Sequence, residues 1–163
     1  MAKTSAGILL FRRTGGAAPE PGIEVLLVHP GGPFWARKDL GAWSVTKGEY
    51  AESEDPVACA LRELGEELGP TAPALDAADL IELGEVRQKG GKTVACWAAE
   101  AEFDPATLAS NEFELEWPPR SGKRQSFPEV DRAEWFDLAA AREKLIPAQA
   151  ELIDRLLERL GAG

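Results

Sequence analysis

Gly48-Glu49-Tyr50-Ala51-Glu52-Ser53-Glu54-Asp55-Pro56-Val57-Ala58-Cys59-Ala60-Leu61-Arg62-Glu63-Leu64-Gly65-Glu66-Glu67-Leu68-Gly69 is the stretch from which the rest of the chain is best read. Asp55 suits a helix N-cap, Pro56 the first helical position and Gly69-Pro70 a stop, so the segment predicts a helix over Asp55 to Leu68. Val57, Leu61, Leu64 and Leu68 recur at helical spacing and form the expected buried stripe. Glu63, Glu66 and Glu67 stand at i, i+3 and i+4, which gathers three carboxylates on one side of the helix, away from that stripe. Like charges so placed repel by roughly 0.2–0.5 kcal/mol per pair on an exposed helix. Arg62 partly offsets this at i+4 from Glu66, although arginine before glutamate is the poorer order. Taken alone, such a trio is an ordinary solvated face. Hard-cation chemistry supplies the alternative, because Mg²⁺ takes oxygen ligands and is held by carboxylates together with substrate phosphates.

Outward from this helix, Ala6 to Phe11 and Ile23 to His29 are apolar runs too continuous for a strand with one solvated face. Gly15 to Gly22, rich in Gly, Ala and Pro, is a loop, and Pro30 to Gly41 is a Gly/Pro-punctuated stretch carrying Phe34, Trp35, Arg37 and Lys38. Leu80 to Val86 and Thr93 to Ala101 predict strands around a Gly90-Gly91 turn. Phe113 to Trp117 alternates at period two, Ala133 to Phe136 makes a last short strand, and Leu138 to Lys144 and Pro147 to Leu160 are helical. Strands without helical crossovers imply a mixed or largely antiparallel sheet covered by helices, an α/β (α+β) domain spanning 1–163.

With 44% hydrophobic and 28% charged residues among 163, the chain is a globular domain rather than a disordered one. No apolar run spans a bilayer and the N-terminus lacks a signal-peptide layout, which with two cysteines, Cys59 and Cys96, suggests a cytoplasmic protein with free thiols. A single histidine, His29, excludes a zinc site built on several. The formal charge of −10 argues against nucleic-acid or membrane partners and implies that any polyphosphate is met through bound metal.

The spacing of Gly48, Glu54, Arg62, Glu63, Leu64, Glu66, Glu67 and Gly69 closely resembles the loop-helix-loop signature of the Nudix hydrolases. The one departure is Pro70, where that family prefers a bulky aliphatic residue, and Thr46 stands where a proline is common. The resemblance implies a mixed sheet sandwiched between helices and a Mg²⁺- or Mn²⁺-dependent hydrolysis of a phosphoric anhydride. Glu63, Glu66 and Glu67 would be metal-binding carboxylates, Arg62 would orient them, Glu54 would pair with Arg62 or sit behind the ligands with Gly48, and the Lys47 carbonyl would complete the site. The general base would be a glutamate of the signature or one from a distant loop.

Phe127 to Phe136 places Glu129 ahead of Trp135 in a layout similar to the asymmetrical diadenosine tetraphosphate hydrolases of that family, so Glu129 is expected to be a metal ligand or base. Lys92 is then a phosphate contact and Trp35 the best candidate to stack on a base, with Phe113 and Trp117 behind it. Asn111 to Pro119, with Arg120-Ser121-Gly122-Lys123-Arg124 after it, looks like extra loop material whose basic residues Arg120, Lys123 and Arg124 would meet the polyphosphate. Gly90-Gly91-Lys92-Thr93 is not a P-loop, because an apolar strand follows it rather than a helix. A nucleotide-type small molecule is therefore the expected partner of a monomer or homodimer. Diadenosine polyphosphates lead, followed by (deoxy)nucleoside triphosphates, ADP-ribose, nucleotide sugars and inositol pyrophosphates. An isoprenoid-diphosphate isomerase or a non-catalytic nucleotide sensor is a more distant reading, disfavoured by the intact glutamates.

Overall fold

β1 (Thr4–Arg13) runs through the middle of the main sheet and is buried along nearly all its length. Its side chains alternate between two cores: Leu9 and Phe11 enter one, while Ala6, Ile8 and Leu10 enter the other. Two covered faces explain why its sequence shows no polar alternation. The computed structural model describes residues 4–14 and 22–161. The loop expected at Gly15 to Gly22 lies, except for Gly22, outside the described residues, as do the first three residues.

The strand order is β4 (Ile81–Arg87), β5 (Thr93–Glu100), β1, β2 (Ile23–Pro30), β8 (Val130–Asp137). β5 runs parallel to β1, and the remaining pairings are antiparallel, so the sheet is mixed. On its other edge β1 forks: Leu10 to Arg13 pair with β2, while Ser5 to Ile8 pair with β3 (Thr46–Glu49). That fork opens the sheet where the glutamate-rich segment begins.

One face is covered by α1 (Pro56–Leu68), through Cys59, Ala60, Leu64 and Leu68. The other is covered by α2 (Leu138–Lys144) and α3 (Glu151–Arg159), through Leu138, Ala141, Leu152, Ile153 and Leu156. Fully burying a leucine-sized side chain is worth about 1.5–3 kcal/mol, so these faces fix the sandwich. No helix among the described residues is long and apolar enough to cross a membrane.

Several expectations change. Thr46 to Glu49 is a strand although it has no apolar run, because its pairing with β1 supplies the ladder. The extra loop material expected from Asn111 to Arg124 instead contains β6 (Glu112–Glu116), where the alternation at Phe113 to Trp117 predicts a strand, and leads into β7 (Arg124–Pro128), which pairs with β6 as a separate two-stranded hairpin. The last strand is longer than Ala133 to Phe136, and the helix expected from Pro147 begins as a 3₁₀ turn over Pro147–Ala150. Both cysteines are free and buried.

Candidate active site

Asp55 caps α1 by accepting from the Ala58 N–H at 3.0 Å, and the helix ends at Gly69, whose φ is 97°. The buried side of the helix is rotated from the expected stripe. Val57 and Leu61 are half-buried, whereas Glu63 and Glu67 each keep 9% of their surface and lie beside Leu64 and Leu68. The solvated-face reading of these two glutamates is therefore wrong. Their chemistry must supply the compensation that water does not.

Arg62 supplies part of it. One guanidinium nitrogen donates to Glu63 at 2.9 Å and to Glu66 at 3.3 Å, while the other donates to Glu54 at 2.9 Å. These partners hold the Arg62 pKa above its ordinary value, with Glu54 the largest cause. Glu66 thus serves the arginine from a partly exposed position, while Glu67 accepts from the Lys47 N–H at 3.3 Å. Gly48 has a steric reason: a Cβ there would stand 2.5 Å from Glu63 Cγ and closer still to its carboxyl carbon.

Glu129 comes to these groups from the junction of β7 and β8. Its N–H donates to the Asn111 carbonyl at 2.8 Å and its carbonyl accepts from the Gly31 N–H at 2.9 Å. Asn111 and Ala109 in turn donate to the carbonyls of Glu66 and Leu68, at 2.9 and 3.0 Å. Those are carbonyls of the last helical turn, which need partners from outside the helix. The same bonds that finish α1 therefore set Glu129 against it. Carboxylate oxygens of Glu63, Glu67 and Glu129 lie within 4.8 Å of one another; Glu66 is not part of that cluster.

Such crowding with partial desolvation favours protons on the carboxylates. Burial pushes the Glu67 pKa up to about 8, opposed by Lys47 and helped by Glu63. Burial and then Glu66 raise both Glu63 and Glu129. Burial lowers the Lys47 ammonium, whose largest opposing influence is Glu67.

Two cavities meet at Lys47 and Glu129. A cavity of about 360 Å³ is polar, lined by Glu63, Gln88 and Lys92 among others. The other, of about 220 Å³, has apolar walls from Val28, Ala42, Val45 and Ile146, with Trp35 at its side and Glu67 within it. The segment bearing Trp35 is held by the Lys38 carbonyl, which accepts from His29 Nε2 at 2.6 Å. Lys92 thus lines the polar cavity and Trp35 the apolar-walled one. Lys123 and Arg124 line neither cavity: Arg124 pairs with Glu114 across the hairpin at 3.2 Å. Phe113 and Trp117 also lie outside both, with Trp117 packed edge-on against Phe34 at 5.3 Å. Sequence reasoning missed Gln88, Ser44 and the apolar wall, because these residues come from scattered segments and share no spacing.

The sequence matches the NUDIX domain family over residues 1–156. An RNA pyrophosphohydrolase of Brucella ovis is 27% identical over 159 residues, covering 84% of each chain. Among solved structures, an Ap4A hydrolase of C. elegans in a binary complex superposes with a TM-score of 0.63 at 19% identity, covering 98% of this chain and 99% of the other. The NUDIX domain of Shewanella oneidensis NrtR, complexed with ADP ribose, gives 0.59 at 19% identity, covering 98% and 89%.

Proposed function

The chain belongs to the Nudix family and is a hydrolase of acid anhydrides, and from that premise we propose a metal-dependent pyrophosphohydrolase acting on a nucleoside diphosphate joined to a further group, diadenosine polyphosphates first. The observation that carries this reading is the convergence of Glu63, Glu67 and Glu129 at the place where a polar and an apolar-walled cavity meet. A nucleobase fits the apolar cavity beside Trp35, and phosphates fit the polar cavity beside Lys92.

The donor set fits Mg²⁺ or Mn²⁺, since it offers carboxylate oxygens close together, two of them on buried side chains, Glu63 and Glu67. Glu63, Glu67 and Glu129 would hold the ion, with the Lys47 carbonyl as a further ligand and Glu66 acting through Arg62. When bound, it would neutralise charge on the anhydride and lower the pKa of the attacking water. Arg62 keeps Glu63 oriented, the Lys47 N–H keeps Glu67 oriented, and a carboxylate of the cluster takes the proton of the attacking water.

The test is a panel of diadenosine tetraphosphate, nucleoside triphosphates, ADP-ribose and a 5′-triphosphorylated RNA oligonucleotide, each with Mg²⁺ and Mn²⁺. Diadenosine tetraphosphate should be turned over fastest, and its being slowest would refute the subgroup assignment. A preference for the oligonucleotide would instead align the chain with the RNA pyrophosphohydrolases it is 27% identical to. The charge of −10 disfavours long contact with an RNA backbone.

Binding of Mn²⁺ should depend steeply on pH. Glu67 must lose its proton to ligate, and its pKa of about 8 makes that loss costly at pH 6. For the metal-free protein the sign follows from linkage. A carboxyl raised in the folded state contributes stability that is full below the unfolded value and lost as pH rises through about 8. The rise in Tm on adding Mn²⁺ should therefore be small at pH 6 and large at pH 8.5; an equal rise at both would mean that Glu67 is not a ligand.

A further inference from the structure

Gln149 is fully buried, and its amide can face only one way. The backbone N–H of Val45 can only donate, so the atom 3.0 Å from it must be Gln149 Oε1. Gln149 Nε2 then donates twice, to Ser44 Oγ at 3.0 Å and to Gln88 Oε1 at 2.9 Å. The Ser44 hydroxyl in turn donates to the Val45 carbonyl at 2.7 Å, so no bond in this series can be reversed alone. The orientation of Gln88 follows. Its oxygen is occupied behind it, and its Nε2 has no partner among the described residues while Gln88 lines the polar cavity.

Lys92 lines the same cavity. The two residues close the turn between β4 and β5, the Gln88 N–H donating to the Lys92 carbonyl at 2.6 Å. Glu63 and Glu129 line the cavity as well, together with Lys47 and Glu49. One cavity thus holds carboxylates of the proposed metal site together with the Lys92 ammonium and an amide N–H₂ whose direction is set from the core. We propose that Gln88 is a substrate-binding residue that donates to a phosphate oxygen of the polyphosphate, and that Gln149 is the positioning residue that fixes its amide. This rests on the pyrophosphohydrolase reading and assigns a residue to it.

The Gln88→Glu variant tests the idea, because it keeps the shape and the acceptor for Gln149 but presents an anion in place of the donor. With diadenosine tetraphosphate and Mg²⁺, KM should rise about tenfold or more, the size of one hydrogen bond to a charged acceptor, with kcat within about twofold. Inorganic pyrophosphate with Mg²⁺, titrated by calorimetry, should bind more weakly by a similar factor. Gln149→Leu, which frees the Gln88 amide to rotate, should raise KM a few-fold, whereas a merely structural Gln149 would lower Tm and leave KM alone. An active wild type whose KM and pyrophosphate affinity are unchanged in Gln88→Glu would overturn the inference and leave the hydrolase reading intact. A wild type that turns over nothing on the panel, yet loses pyrophosphate binding in Gln88→Glu, would sink the proposed substrate class and uphold the phosphate contact.

Discussion

Glu67→Gln should lower metal-dependent turnover by about 10²–10⁴-fold, the range expected when a carboxylate that holds or moves a proton at the reacting centre is lost. The substitution is nearly isosteric, and the amide oxygen can still accept from the Lys47 N–H, which now lies 3.3 Å from Glu67 Oε1. Folding should therefore survive. Without metal, stability and activity should even move in opposite directions. At pH 9 the native protein must bury an anion whose pKa burial has pushed up to about 8, whereas the variant buries a neutral amide. The variant should then match or exceed the native Tm at pH 9, lose the Mn²⁺-induced rise and be almost inactive. Near-normal turnover would refute the role given to Glu67. A variant inactive only because it is unfolded would show in the same Tm measurement.

Burial on two faces made much of the fold legible. The unbroken apolar runs in β1 and β2 pointed to strands covered on both sides, and Leu9 and Phe11 do enter a different core from Ile8 and Leu10. Asp55, Pro56 and Gly69 marked α1 because capping is local chemistry. What stayed hidden was structure specified by partners. β3 has no apolar pattern and exists because β1 forks to receive it. β7 belongs to a largely exposed hairpin, so no buried face imprinted its sequence. At the site, the glutamate spacing was readable, but the burial of Glu63 and Glu67 was not. An apolar stripe contains no charged residue, so the buried side of α1, which includes Glu63 and Glu67, lies part of a turn away from it. Gln88 and Gln149, far apart in sequence, meet only through tertiary packing.

Gly48→Ala should be the cleanest separation of catalysis from folding. The new Cβ would stand 2.5 Å from Glu63 Cγ and nearer to its carboxyl group, and the side chain is what must give way. The end of a glutamate rotates at little cost, so Tm should fall only slightly. Glu63 would nevertheless leave the cluster it forms with Glu67 and Glu129 and strain its 2.9 Å bond from Arg62. Displacing a catalytic group by about 1 Å can cost roughly 10²-fold in rate, and a loss of that order is the expected result. Gly7→Ala is the control with the opposite signature. There the Cβ would overlap the Thr46 carbonyl oxygen and stand 2.9 Å from Lys47 Cβ, so β1 and β3 would have to separate. That variant should lose stability first, and activity in proportion to the folded fraction. If Gly48→Ala behaved like Gly7→Ala, with turnover per folded molecule unchanged, Gly48 would be a packing residue and Glu63 would be free to act from another position.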